Sequence, residues 1–321
     1  MLESQNRTRI FFLILLAGLG GYWGKQLYTD LFADKIPAMA NPSGLTHNPL
    51  NLAEQNRTYY LYKPKGIEHS TEKHPLVIVI HGLGANGKTI MNYSRMNETA
   101  DKYGFIVAYP EMHGWLDWDV SGGLSSKDIP FISSLIDALV QNGGVDPKRV
   151  FATGYSSGGD LMHTFALSPE LSGKIAAYAP VCSNLLKSVA KSAQSTKAIA
   201  MLMISGTGDW LNPWNGGINL LSVPKTFAFW KKHNGCSGPD TTTDYPKNDS
   251  NDPTHAQLIS GSGCRDDAAI ELLKIHKGGH TWPGSRKLHW ITSRFMGETN
   301  MDVSANEFMW HFFNSRTEPE K

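Results

Sequence analysis

The sequence predicts an α/β fold: a mostly parallel central sheet with helices on both faces. Short apolar segments rich in β-branched residues recur along the chain. They are too uniformly apolar for strands with one wet face and suit strands buried on both sides. Segments of helical period alternate with them, and that alternation selects a parallel sheet with helical crossovers. A chain of 321 residues is long enough to bury such a sheet, and residues 41–321 are expected to form a single domain.

Residues 1–40 read as a signal peptide or N-terminal membrane anchor plus lead-in. Arg7 and Arg9 precede the apolar stretch 10–24, IFFLILLAGLGGYWG. That stretch is near the upper length of a signal-peptide core and short of the roughly 20 residues a spanning helix needs. Small residues at 38–40, AMA, offer a cleavage site. The expectation is a secreted or periplasmic protein, or one tethered to a membrane through residues 10–24.

Residues 41–56 are polar, with Pro and Gly, and read as a loose lead-in. Residues 58–64, TYYLYKP, are aromatic-rich and end at a proline, a strand signal. Residues 75–80, PLVIVI, form a continuous apolar run expected of a buried strand. Residues 90–104 read as one helix stopped by Gly104. Residues 105–110, FIVAYP, are another buried strand. Residues 128–144 have Asp128 as a plausible N-cap, an early proline and glycine after the end, so they read as a helix. Strands follow at 149–155, 174–181, 198–205 and 269–277, and helices at 157–167, 223–235 and 304–313. The polar segment 240–255 reads as an exposed loop or a poorly formed hairpin. No internal repeat or low-complexity tract is present.

Thirty basic and 29 acidic residues leave a net charge of +1, so no global field favours nucleic acid. Three cysteines occur. Cys236 and Cys264 lie in Gly-rich polar sequence, and Cys182 lies in the apolar AAYAPVC. In an exported chain, two loop cysteines suggest a Cys236–Cys264 disulfide, with Cys182 free and buried. No C-x-x-C occurs, and the 12 histidines show no H-E-x-x-H spacing, so no metal or cofactor is expected.

Residues 154–158, GYSSG, fit G-x-S-x-G between a strand and a helix, the context of a nucleophile elbow. In that turn Ser156 is presented at the start of the helix, and the N–H of Ser157 points where an oxyanion forms. A serine hydroxyl needs a base, and the base needs an orienting carboxylate. Asp209 follows the strand at 198–205, and His280 follows the strand at 269–277. All three groups therefore converge at the carboxyl ends of strands, in the chain order Ser, Asp, His. The loop HGLGANGKT after the strand at 75–80 supplies a second oxyanion donor, the N–H of Leu83.

That same loop matches G-x-x-x-x-G-K-[ST] through Gly82, Gly87, Lys88 and Thr89, the phosphate-cradling pattern. A P-loop nucleotide-binding protein is thus an alternative, but it leaves GYSSG and GGHTWPG unexplained. Lys88 otherwise reads as a surface lysine at a helix start. A non-catalytic binder on the same scaffold and a peptidase are milder alternatives. Trp115, Trp118, Trp210, Trp214 and Trp282 are candidates for an aromatic substrate cleft, or for packing its rim.

Together VIVIHGLGANG, ADKYGFIVAYPE, GVDPKRVFATGYSSGGDLMH, ISGTGDWLNPWNGG, FAFWKKHNGC and GGHTWPG resemble the polyhydroxybutyrate depolymerase and feruloyl esterase group of α/β-hydrolases. The resemblance runs from about Arg57 to Phe313. It implies an α/β-hydrolase fold with Ser156 as nucleophile, Asp209 as carboxylate and His280 as base, and it also pairs Cys236 with Cys264. The activity it implies is that of a serine esterase acting on small or oligomeric esters: hydroxyalkanoate oligomers, feruloyl esters or related acyl and sugar esters. No appended polymer-binding domain is seen, so attack on insoluble polyester is not expected. Trp210 and Trp214 are larger than the residues common in relatives.

Overall fold

A computed structural model describes residues 43–51, 56–114, 116–286 and 290–316. The expected export segment at 10–24 and the AMA site at 38–40 lie outside these residues, as does Trp115. Among the described residues no helix is long and apolar enough to cross a membrane.

Among the described residues ten strands form one sheet. They are β1 (Leu45–Asn51), β2 (Asn56–Tyr62), β3 (His74–Ile80), β4 (Ile106–Pro110) and β5 (Val145–Tyr155), followed by β6 (Ala177–Val181), β7 (Ala200–Gly206), β8 (Thr241–Asp244), β9 (His255–Gly261) and β10 (Ile270–His276). Their order across the sheet is β1-β2-β4-β3-β5-β6-β7-β10-β9-β8. From β4 to β10 neighbouring strands run parallel, and antiparallel strands flank them on both sides. The parallel strands hold the longest apolar runs, because both of their faces are covered there. In β3, every residue from Pro75 to Ile80 is buried.

The pleat sends alternate residues to two cores. Leu76, Ile78 and Ile80 face one core, with Phe131 and Leu135 of helix α3 (Asp128–Asn142), Leu161 and Phe165 of α4 (Ser157–Leu167), and Trp230 of α7 (Val223–His233). Val77 and Val79 face the other. There they meet Ile90 of α1 (Gly87–Ser94), Ala100 of α2 (Met96–Tyr103), and Met309 and Phe313 of α9 (Ala305–Asn314). The described residues also include the short helices α5 (Pro169–Ser172), α6 (Lys187–Lys191) and α8 (Trp290–Met296).

Four expectations need correction. Within the supposed lead-in, residues 45–51 are strand β1, paired with β2 from Leu45↔Tyr62 to Asn51↔Asn56. An edge strand needs only backbone pairing, so its polar residues and Pro49 gave no strand signal. The helix expected over 90–104 is two helices, because Arg95 adopts φ 56, ψ 30, ending α1 with its N–H on Met91 O and opening α2. The apolar spacing continues across this break and hides it. The segment after Asp240 includes a formed antiparallel pair, β8 with β9, in which the exposed threonines of β8 need no buried face. Finally, Asp128 is not an N-cap. It lies inside α3, buried, where it binds Arg57 at 2.9 Å and accepts the N–H of Asp119 at 2.7 Å.

Cys236 and Cys264 form a disulfide, and Cys182 is free and buried.

Candidate active site

Ser156 ends β5 and opens α4 with φ 56, ψ −123, a region that residues with a Cβ rarely occupy. Its N–H donates to Val181 O at 3.0 Å. The flanking glycines are steric necessities. A Cβ on Gly154 would lie 2.2 Å from the Gly158 carbonyl oxygen, and one on Gly158 would lie 2.5 Å from that of His81. The N–H of Ser157, in the first turn of α4, has no acceptor within the helix.

Asp209 lies just beyond the carboxyl end of β7. One carboxylate oxygen accepts the N–H groups of Leu211 and Asn212, both at 2.9 Å. The other meets His280 Nδ1 at 2.7 Å, and both side chains are at most 3% exposed. A buried carboxylate with this many donors is held in one orientation, and so is the ring it binds.

His280 follows β10, three places from β5 in the sheet. Strand spacing puts those two ends about 14 Å apart. The segment after β10 closes the gap by folding back across β7 with backbone against backbone. A Cβ on Gly206 would lie 2.2 Å from the Gly278 carbonyl oxygen, and one on Gly279 would lie 2.1 Å from that of Met296. Tyr155, next to Ser156, completes the approach. Its hydroxyl donates to His280 O at 2.7 Å, and the two rings are 5.0 Å apart.

The loop after β3 packs on the serine: a Cβ on Gly82 would lie 3.2 Å from Ser156 Cβ. Trp118 Nε1 donates to His81 O at 2.8 Å, and Gly84 N–H donates to Leu116 O at 2.6 Å, which anchors the loop on both sides of Leu83. Leu83 itself is half exposed, beside the equally exposed Leu116.

The phosphate-loop match has a local explanation. Asn86 caps α1 by accepting the Thr89 N–H at 2.9 Å and the Thr89 hydroxyl at 3.0 Å. The Gly87 N–H donates to Glu111 Oε1 at 3.0 Å. The positive end of the helix is thus occupied by the protein's own carboxylate, where a P-loop would hold phosphate. A Cβ on Gly87 would meet Tyr60 at 2.9 Å, and the Lys88 ammonium sits 5.5 Å from the Tyr60 ring centre.

The tryptophans divide. Trp282 is fully buried, with Nε1 on Asn306 Oδ1 at 2.9 Å, and Trp118 is nearly so. Neither offers surface to an open cleft, which corrects that expectation: both rings are used up in packing and in bracing loops. Trp210 and Trp214 are half-buried. Trp210 Nε1 donates to Phe295 O, and Lys274 Nζ lies 5.3 Å from the Trp214 ring centre.

Three groups around the serine carried no recognised signal in the sequence. Asp117 accepts the Ser157 hydroxyl at 2.7 Å and the Trp118 N–H at 2.9 Å, and burial pushes its carboxyl above the usual range. Asp160, in the first turns of α4, is held well above that range by burial; Asn184 N–H donates to it at 3.2 Å. Cys182 sits behind the Asp–His pair. Among the described residues, Cys182, Asp209 and His280 form the one thiol–carboxylate–imidazole group whose ligand atoms lie within 4.8 Å of one another. In it the imidazole and the carboxylate hold each other.

The family model described as Esterase PHB depolymerase matches residues 57–207. The chain is 28% identical over 257 residues to the bifunctional acetylxylan esterase/xylanase XynS20E of Neocallimastix patriciarum. It is 27% identical over 232 residues to feruloyl esterase B of Piromyces equi. Over that stretch the chain is similar to the Esterase PHB depolymerase family, and these two relatives are an acetylxylan esterase and a feruloyl esterase. The alignments take in 78% and 67% of this hydrolase-fold chain but only 35% and 41% of those two relatives. A putative esterase, NocK of Nocardia uniformis subsp. tsuyamanensis, is 28% identical, with 73% of this chain and 72% of that one aligned. The fold, of α/β-hydrolase class, matches that of the solved acetyl xylan esterase from Aspergillus awamori with a TM-score of 0.54 at 19% identity, covering 78% of this chain and 99% of that one.

Proposed function

We propose that this protein is a carboxylic ester hydrolase working through an acyl-enzyme on Ser156. The observation that carries the reading is the buried 2.7 Å contact between His280 and Asp209 at the sheet edge where Ser156 stands on its strained elbow. His280 takes the Ser156 proton as the hydroxyl attacks the ester carbonyl, then gives it to the leaving alkoxide. Asp209 fixes the imidazole so that Nδ1 carries a proton and Nε2 accepts, and it stabilises the imidazolium that forms. The N–H groups of Leu83 and Ser157 receive the oxyanion. Water then attacks the acyl-enzyme by the same route in reverse.

The substrates are small or oligomeric esters: acetyl or feruloyl groups on sugars, or hydroxyalkanoate oligomers. Support comes from the acetylxylan and feruloyl esterases among the relatives and from the half-exposed Leu83 and Leu116, which offer an apolar wall beside the oxyanion site. The reading includes export as a single catalytic unit over residues 41–321, secreted or periplasmic. The Cys236–Cys264 disulfide, a bond that persists in oxidising compartments, supports it.

The test is a hydrolysis panel of p-nitrophenyl acetate, methyl ferulate, acetylated xylan and hydroxybutyrate oligomers, run beside Ser156→Ala. Turnover of at least one ester is expected, lost in the variant, with fluorophosphonate labelling confined to Ser156. Full activity in Ser156→Ala would sink the reading.

A further inference from the structure

Cys182 directly follows β6, between the strand ends that lead to Ser156 and Asp209. Three observations set it apart from an ordinary buried cysteine. Its backbone has φ 51, in the left-handed region that a side chain disfavours. Its thiol lies 3.1 Å from Thr281 O and 3.9 Å from Gly279 O, the carbonyls of the residues on either side of His280. Its own carbonyl accepts the Asn212 side-chain amide at 2.6 Å, and the backbone N–H of Asn212 donates to Asp209. One residue thus touches the loop of the base through its side chain and the loop of the carboxylate through its backbone. In that backbone conformation Sγ reaches the His280 loop while the carbonyl reaches the Asn212 side chain.

We propose that Cys182 is a positioning residue for the hydrolase: its S–H, donated to Thr281 O, seats the His280 loop so that the imidazole meets Asp209 in the reactive orientation. This rests on the esterase reading given above. The thiol is protonated at neutral pH, since burial and the neighbouring Asp209 both hold it well above its ordinary value, and a carbonyl can only accept. Thr281 O needs such a donor because it faces a region of 2–3% exposure, where a lost partner is not replaced by bulk water. A shift of the ring by a fraction of an ångström to an ångström changes the chemical step far more than it changes binding.

The test compares Cys182→Ser, Cys182→Ala and Cys182→Gly with the wild type on p-nitrophenyl acetate. Serine keeps a donor, alanine removes it, and glycine removes it while relieving the backbone conformation. Expected are a fall in kcat of about 10- to 100-fold in the alanine and glycine variants with KM little changed, and retention of most activity in serine. The acid limb of the kcat/KM pH profile moves in the alanine and glycine variants and stays in serine. Unchanged kcat in every variant overturns the proposal. So does recovery in glycine without recovery in serine, which would assign the effect to backbone strain.

A measurement on the wild type holds if a variant does not fold. The infrared S–H band of Cys182 should lie below that of an unbonded thiol and move when a fluorophosphonate occupies Ser156; an unbonded or unmoved band overturns the proposal. The two readings fail differently. A wild type that neither labels nor turns over any ester refutes the esterase and this role with it. An active wild type with indifferent variants refutes only the role of Cys182.

Discussion

Replacing Ser156 with glycine should make the protein more stable than replacing it with alanine, although both variants are inactive. Ser156 holds φ 56, ψ −123, where a Cβ is crowded by the local backbone. Such conformations cost of order 1–3 kcal/mol in a residue with a side chain. Alanine removes the hydroxyl but keeps the Cβ, so it keeps the strain. Glycine removes the Cβ and with it the strain. Against this stands the greater freedom of glycine in the unfolded chain, worth about 0.5–1 kcal/mol. The net expectation is that glycine exceeds alanine by about 1 kcal/mol. For a chain of this size that is a Tm difference of roughly 1.5 °C. Thermal unfolding of the two variants followed by circular dichroism checks it. An alanine variant as stable as the glycine variant, or more so, refutes the idea that the elbow stores strain.

Asp209→Asn should cut kcat on p-nitrophenyl acetate by about 10⁴-fold with the fold intact, because the amide presents a donor or a weaker acceptor to His280 and selects the wrong tautomer. Asp128→Ala should destabilise by about 3–5 kcal/mol in denaturant titration, because Arg57, stacked 3.8 Å from the Phe131 ring centre, is left a buried cation without its carboxylate. Paired Cys236→Ser and Cys264→Ser changes should cost roughly 3.5 kcal/mol by loop entropy, measured as the shift in unfolding midpoint against the oxidised wild type. Two buried groups give opposite pH trends. Asp160 stays protonated in the fold while an unfolded chain ionises above about pH 4, so its contribution erodes stability as pH rises, and Asp160→Asn should raise Tm at neutral pH. His163, depressed to about 3, stays neutral while the unfolded chain takes up a proton below about pH 6.5, so stability is lost as pH falls from there towards 3. Tm measured across that range in wild type and His163→Gln checks the second trend.

The parallel strands and the places of Ser156, Asp209 and His280 at their ends were legible because each is written locally. An apolar run marks the strand, and small residues just after it mark the turn that presents a side chain. Residues whose positions depend on distant partners were not legible. The thiol of Cys182 matters because the chain after β10 doubles back over β7, and no window around residue 182 contains that information. Trp118 and Trp282 sit near glycine and polar punctuation, as rim residues do, yet their indole N–H groups are spent on His81 O and Asn306 across 37 and 24 positions of sequence. The break at Arg95 is silent because both helices present the same apolar face to the same core. The phosphate-loop pattern misled because it specifies what supplies N–H groups to a helix start but not what occupies them; Glu111, 24 residues from Gly87, does.

The backbone crossing at Gly206 and Gly279 divides the molecule into a part that resists change and a part that accepts it. Where two chains touch without side chains between them, even one added methyl group must push the base away from the carboxylate, so sequence drift there has no small step available. The rim loops carrying Leu116 and Ile218 have solvent on one side and can be lengthened or refilled one residue at a time. New acyl or alcohol preferences in descendants of this chain would therefore arise from the rim, while the rear of the site descends unaltered.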